Sequence, residues 1–258
     1  MKTLLHPLGY PIPSTAYSRR LPTHQERRTV DPRSYNQIVK LARELERRLE
    51  RLVDGASAAV FRGKMHPVDM ADRLLRQADF VVTQGEAGPE IPNTWTLRIN
   101  PSDLPPEIDP EELEQELTHA VSEFAADRGW RINGPVDVVV ISDTAVPRGL
   151  TDCSGTSEPG PIAPWSQLVA ASPPLVVEIS DNRSILGRAM ESDVVVAVPE
   201  LSRRQAVIVR ADQAVTITDL SSANGTHVNG ALIGADPFPL VPGDTVTMGD
   251  IDFVFRPL

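Results

Sequence analysis

The chain has 258 residues, 41% of them hydrophobic, and a formal net charge of −10. That length suits two modest domains with real cores, and no run approaches the roughly 18 consecutive apolar residues that a membrane span requires. The single cysteine, Cys153, excludes an internal disulfide and a cysteine-rich metal site. The N-terminal stretch also lacks the apolar core of a secretory signal, so the expected location is the reducing cytoplasm.

The charge is uneven. Residues 1–77 carry 15 Lys and Arg against 8 Asp and Glu, and the remainder carries 10 against 27. Residues 1–33 are proline-rich and polar without periodicity, which predicts a disordered tail. From Ser34 a helical pattern begins, with Ile38, Leu41, Leu45, Leu49 and Leu52 at spacings of three and four. Glu44 and Arg48 form a favourable i, i+4 pair, and Arg43, Arg47 and Arg51 line an outer basic row. A solvated helix face is the preferred reading of that row. Nucleic acid ranks below it, because aromatic side chains for base stacking are scarce there.

"HPVDMADRLLRQAD" (66–79) reads as a helix with Pro67 in its first turn and Val68, Ala71, Leu75 and Ala78 as its buried stripe. "TWTLRI" (94–99) alternates as a strand does. The next helix has Asp109 as N-cap, Pro110 at the first position and Glu112 in a capping pattern; Leu113, Leu117, Val121 and Phe124 form its apolar face and Gly129 its stop. "VDVVVIS" (136–142) follows as a buried strand. Together these predict an α+β domain over 34–143. Residues 144–173 are rich in Pro, Gly, Ser and Thr and read as a flexible linker. From residue 174 to 258 short strand-like runs alternate with turn residues, the pattern of an all-β sandwich.

Catalytic signatures are missing. No phosphate-binding glycine loop or HExxH motif occurs, and "GTSEP" (155–159) lacks the closing glycine of a nucleophile elbow. His6, His24, His66, His119 and His227 are dispersed without ligand spacing. Glu111, Glu112, Glu114 and Glu116 complement a helix N-terminus. No enzyme, cofactor or metal is expected.

The polar residues suited to binding lie in loops of the C-terminal region. Gly187-Arg188 ends a strand, "LSRRQA" places Ser202, Arg203 and Arg204 before another, and "DLSSANGTHVNG" carries Asn224-Gly225 and Asn229-Gly230. Two or three arginines beside a hydroxyl suit an anion, and a phosphate offers charge and three acceptor oxygens to such donors. Gly187, Gly225 and Gly230 read as turn formers needing permissive backbone angles.

The order Gly-Arg, Ser-Arg, Asn-Gly and a second Asn-Gly resembles the forkhead-associated (FHA) family over about 175–258. That resemblance implies a β-sandwich that binds phosphothreonine peptides through loops at one end. It implies that Arg188 and Ser202 contact phosphate with Arg203 beside them, and that Asn224 bonds the peptide backbone. Gly187, Gln205, Ala223, Gly225, Asn229 and Gly230 are implied to support the site. Two positions depart from the family: Gln205 replaces the usual His, and Ala223 replaces a Thr or Ser whose hydroxyl assists phosphate or loop. Gln supplies both a donor and an acceptor and so serves as a partial replacement. Loss of the hydroxyl predicts a weakened reader.

The N-terminal half resembles the N-terminal domain of FhaA-type actinobacterial proteins, through the amphipathic helix, Phe61, Gly63 and Pro67, and Pro92-Asn93 before a strand. This resemblance implies partnership with Ser/Thr protein kinases and phosphatases and regulation of peptidoglycan synthesis and division. A phosphorylated pseudokinase region of a cell-wall membrane protein is an implied partner. The resulting expectation is a phosphothreonine-dependent adaptor, cytoplasmic and brought to the inner membrane face only through partners. The alternative is a phosphate-independent scaffold with a degenerate FHA site, acting through its N-terminal domain. Thr15, Thr23 and Thr29 in the tail, and Thr151 and Thr156 in the linker, are candidate kinase targets.

Overall fold

A computed structural model describes residues 47–48, 64–104, 106 and 108–258. The expected tail with Thr15, Thr23 and Thr29, and most of the first helix, including Arg43, Arg51, Phe61 and Gly63, lie outside the described residues. Arg47 and Arg48 are helical. The Arg48 guanidinium lies 3.5 Å from Glu123 of the helix over 110–128, and Glu44, its expected partner, lies outside the described residues.

The N-terminal unit contains helix α1 (Pro67–Phe80), a short hairpin of β1 (Thr83–Gly85) and β2 (Gly88–Glu90), strand β3 (Thr94–Ile99), helix α2 (Pro110–Arg128), and strands β4 (Asp137–Ser142) and β5 (Thr151–Thr156). His66 caps α1 by accepting from Val68 N–H, and Pro67 follows at the first position. In α1 the fully enclosed stripe is Met70, Ala71, Leu74 and Ala78, while Val68 and Leu75 pack at its margin. Asp109 caps α2 through Glu111 N–H, and Gly129 ends it with φ 59°. Leu113, Leu117, Val121 and Phe124 all face the core. Strand β3 is central, parallel to β4 and antiparallel to β5. The outer edge of β4 is closed by α2: Val140 N–H donates to Glu114 (2.7 Å) and Val138 N–H to Thr118 (3.1 Å), so these edge donors are satisfied within the domain.

The C-terminal unit is a two-sheet sandwich. One sheet has the order β13–β12–β15–β16–β6–β7 and the other β14–β11–β10–β8–β9. Their ranges are β6 Ser166–Ala171, β7 Pro174–Ile179, β8 Arg183–Gly187, β9 Val194–Val195, β10 Ala206–Ala211, β11 Ala214–Asp219, β12 Thr226–Val228, β13 Ala231–Ile233, β14 Phe238–Pro239, β15 Thr245–Met248 and β16 Ile251–Pro257. Alternate residues point inward. Leu168, Ile208, Ile217, Val246, Met248, Phe253 and Phe255 form a core separate from that of the N-terminal unit.

The stretch 144–173, read from composition as a flexible linker, is not one. Strands β5 and β6 both lie in it. Strand β5 joins the N-terminal sheet although "TDCSGT" has only its two terminal threonines as strand formers, because pairing along all six residues of β3 outweighs local propensity. Gly155 is required there: a Cβ would lie 2.8 Å from Pro92 and 2.9 Å from the Trp95 ring. Thr151 and Thr156 therefore sit in a paired strand. Cys153 packs against the core, and burial, with Asp152 adding to it, pushes its thiol pKa up to about 11. Strand β6 belongs to the sandwich, which begins at Ser166 and not at 174.

Asn93 ties the connecting segment down. It is buried, donates to Pro135 O (2.8 Å) and Glu158 O (3.1 Å), and accepts from Glu158 N–H (2.9 Å). Gly134 allows this approach, since a Cβ there would meet Glu158 O at 2.3 Å. Asn93→Ala removes three side-chain hydrogen bonds to the backbone of Pro135 and Glu158 and is expected to lower unfolding stability by about 1–3 kcal/mol. Urea denaturation checks this, and a loss below about 0.5 kcal/mol contradicts the bracketing role.

Candidate functional site

Three loop segments meet at one end of the sandwich. The first leaves β8 at Gly187, the second precedes β10, and the third joins β11 to β12. Arg188 N–H donates to Ser202 O (3.1 Å) and Ala189 N–H to Arg203 O (3.2 Å). Ser202 Oγ accepts from Ala223 N–H at 2.8 Å. Asn224 Nδ2 donates to Glu200 O at 3.3 Å. The fold thus brings Arg188, Ser202, Arg203, Ala223 and Asn224 together.

Gly187 differs from the turn-former expectation. It is the last residue of β8, and smallness is what the position demands: a Cβ would fall 2.0 Å from Arg203 O. Gly225 does adopt φ 78°. Asn229 and Gly230 adopt φ 50° and 81° and close the β12–β13 hairpin. That hairpin lies at the opposite end of β12 from the three loops. Asn229 is bound there to Asp244 (2.8 Å) and Thr245 N–H (2.9 Å), so its role is to brace that turn.

Gln205 joins the three segments. It is 1% exposed. Its Oε1 accepts from Ser202 N–H at 2.9 Å, and its Nε2 donates to Gly225 O and Thr226 Oγ1, both at 3.0 Å. Its backbone pairs with Leu186 O and Leu220 N–H. An acceptor and two donors on one planar amide are all used, as burial of a polar side chain requires.

Asp219 is a site residue that the sequence reading did not single out. It accepts from Ser222 N–H, Ser222 Oγ and Thr226 Oγ1, and so shapes the loop that presents Ala223 and Asn224. The signal was available in "DLSS", where an Asp followed by Ser three residues on makes a side-chain-to-backbone turn.

Arg188, Arg203 and Arg204 are exposed, and among the described residues none has a carboxylate within 4.0 Å. These three exposed cations, carried on the loops that meet at Ser202, are chemically suited to an anion. Among the described residues no group of three or more His, Cys, Asp or Glu could hold a metal ion. Nor is any described helix long and apolar enough to cross a membrane.

Comparison with known proteins matches two family models. The FhaA N-terminal domain covers residues 42–154, and the FHA domain covers 184–249. The chain is 36% identical over 101 residues to the ABC transporter ATP-binding/permease protein Rv1747 of Mycobacterium tuberculosis, covering 39% of this chain and spanning 11% of that relative. Similar solved structures include the FhaA FHA domain in complex with the intracellular domain of Rv3910, at 26% identity and TM-score 0.32, covering 36% of this chain and 100% of that one. The FHA domain of CT664 from Chlamydia trachomatis matches at 25% identity and TM-score 0.32, covering 35% and 93%. The N-terminal FHA domain of S. cerevisiae Rad53p with a phosphothreonine peptide matches at 19% and 0.34, covering 36% and 94%.

Burial acts to raise the pKa of Asp219, but hydrogen bonds from Ser222, Thr226 and Ser221 outweigh it and hold the carboxyl below its usual range. A depressed carboxylate pKa contributes stability that is present above the unfolded value of about 3.9 and is lost as pH falls through the folded value. Amide exchange at 219–226 is therefore expected to accelerate as pH drops below about 4, after correction for the intrinsic pH dependence of exchange. In Asp219→Asn that step should disappear. A step of the same size in the variant contradicts the assignment.

Proposed function

The chain has the FhaA-type architecture, an FhaA N-terminal domain followed by an FHA domain, and we propose that it is a phosphothreonine-binding adaptor in Ser/Thr protein kinase signalling. The observation that carries this reading is the cluster at the sandwich end. Arg188, Arg203 and Arg204 are exposed, have no carboxylate within 4.0 Å among the described residues, and are carried on the loops that meet at Ser202, where Gln205 ties the Ser202 segment to Gly225 and Thr226. Arg188 and Ser202 bind the phosphate, Arg203 adds charge beside them, and Asn224 holds the peptide backbone. The FHA family match over these same residues supports the assignment.

The geometry supports a reading of the two departures. The Gln205 side chain braces the second loop to the third, through Ser202 and through Gly225 and Thr226, the bracing role expected of the histidine it replaces. Ala223 gives only its backbone N–H to Ser202 and offers phosphate no hydroxyl. A lost hydrogen bond to a charged group costs roughly 1.5–3 kcal/mol, and Ala223→Thr is expected to tighten binding. The preference for phosphothreonine over phosphoserine rests on a methyl worth about 0.8 kcal/mol together with loop geometry.

The finer reading is that the partner is a kinase-modified protein of cell-wall synthesis at the inner membrane face, which the FhaA-type N-terminal domain supports. The chain itself works in the cytoplasm and makes no chemical change to what it binds.

Titration of the full chain against a phosphothreonine peptide library, with phosphoserine and unmodified controls, tests the proposal. Binding is expected only with phosphothreonine, and Arg188→Ala or Ser202→Ala should weaken it at least about tenfold, since charged hydrogen bonds are worth roughly 1.5–3 kcal/mol. Equal binding of unmodified peptides, unaffected by either substitution, would support the phosphate-independent scaffold.

A further inference from the structure

The loop that carries Arg188 is held at its far end by the other domain. Arg131 follows α2, and its main chain is fixed within the N-terminal unit. Its N–H donates to Pro89 O (2.9 Å), its carbonyl accepts from Ile91 N–H (3.0 Å), and its Nε donates to Asn133 Oδ1 (3.2 Å). The guanidinium then crosses to the sandwich. Nη1 bonds Asp193 Oδ1, and Nη2 lies 3.5 Å from Asp181. The other oxygen of Asp193 accepts from Ile185 N–H at 2.8 Å.

Asp193 closes the segment that opens at Arg188. Midway along it, Ala189 N–H and Ser192 Oγ are anchored on Arg203 O (3.2 and 3.0 Å). Within its own domain the loop is held on Ser202 O and Arg203 O and, at Asp193, by Ile185 N–H; the contact from the other domain is supplied by Arg131. The side chains of Arg131 and Asp193 are 21% and 13% exposed, enough burial to limit screening of the pair. Neighbouring contacts keep Arg131 in place. Buried Asn182 donates to Trp130 O (2.9 Å) and accepts from Arg210 (2.7 Å), and Asp212 N–H donates to Asp127 O (3.0 Å). Gly129 permits the approach, since a Cβ there would lie 2.9 Å from Val209.

We propose that Arg131 is a positioning residue for the phosphopeptide site. By clamping Asp193 it fixes the Arg188–Asp193 loop, so the N-terminal domain sets the affinity of the FHA domain. This inference rests on the phosphothreonine-binding reading for its effect on affinity, and on the clamp alone for its effect on the loop.

The test uses the full chain as wild type, Arg131→Gln, Asp193→Asn, the double variant and Arg131→Lys. Each is read by titration with the tightest phosphothreonine peptide of the library and by amide exchange, well below the unfolding transition. Each loss-of-pair single variant should weaken binding at least about fivefold, the lower end of ordinary inter-site coupling. The double should be no worse than the weaker single, and Arg131→Lys should recover most of the affinity. Exchange should accelerate at residues 185–193 and stay unchanged at 220–226. Wild-type binding with unaltered affinity in the variants would overturn the proposal, as would unaltered exchange at 185–193. If the wild type binds no phosphothreonine peptide, the functional reading fails by itself, and the exchange data still decide whether Arg131 holds the loop. Should Arg131→Gln fail to fold, the near-isosteric Asp193→Asn decides.

Discussion

One buried amide holds the binding end of the sandwich together. Gln205 sits where three loops converge and cannot meet water, so each of its polar groups must find a protein partner. It finds one in each direction, on Ser202, Gly225 and Thr226. Everything the site presents depends on that arrangement. Ser202 is held below its hydroxyl, Ala223 N–H is drawn to that hydroxyl, and Asn224 is carried on the loop whose base Gln205 grips. Gly187 completes the convergence by letting the end of β8 lie directly against Arg203. The exposed side chains on these loops include Arg188, Arg203 and Arg204, which suit an anion brought in from solvent.

The two domains are not beads on a string. The segment between them is short because β5 has joined the first sheet and β6 the second. What remains is pinned at Glu158 by Asn93 and at Gly160 by Asn133. Residues 129–131 then lie against the sandwich and bring Arg131 to the loop of Arg188. An adaptor built this way gains less from a search over linker conformations than from a fixed geometry between its two surfaces. It also brings the N-terminal domain to the loop of Arg188, through the Arg131–Asp193 pair.

The helices were legible because capping and periodicity agreed. Asp109, Pro110 and Gly129 mark α2, and its stripe of Leu113, Leu117, Val121 and Phe124 is the buried face. In α1 the fully enclosed stripe includes Met70 and Leu74, which spacing alone had left aside in favour of Val68 and Leu75. The sandwich was legible from short strand-like runs separated by turn residues, over β7, β8, β9, β10, β11, β12, β15 and β16. Strand β5 was not, because its pairing with β3 is a long-range fact that polar "TDCSGT" does not announce. The short strands β13 and β14 offer no run long enough to show a period. At the site, the motif order indicated which residues would gather. Asp219, the organiser of the third loop, was legible only through the local "DLSS" turn pattern, and Arg131 at the end of the first loop not at all, since it acts through contacts made only after folding. The second Asn-Gly braces a turn, as its sequence suggests, but at the opposite end of β12 from the three loops.

The most direct test maps binding residue by residue. Amide chemical shifts of the labelled full chain would be followed during titration with a phosphothreonine peptide and with its unmodified counterpart. The account predicts shifts concentrated at Arg188, Ser202 to Arg204, Ala223 and Asn224, with the phosphorylated peptide alone. Equal shifts with the unmodified peptide would contradict it. So would shifts centred at the opposite end of the sandwich, in the groove lined by Trp165, Arg210 and Val241.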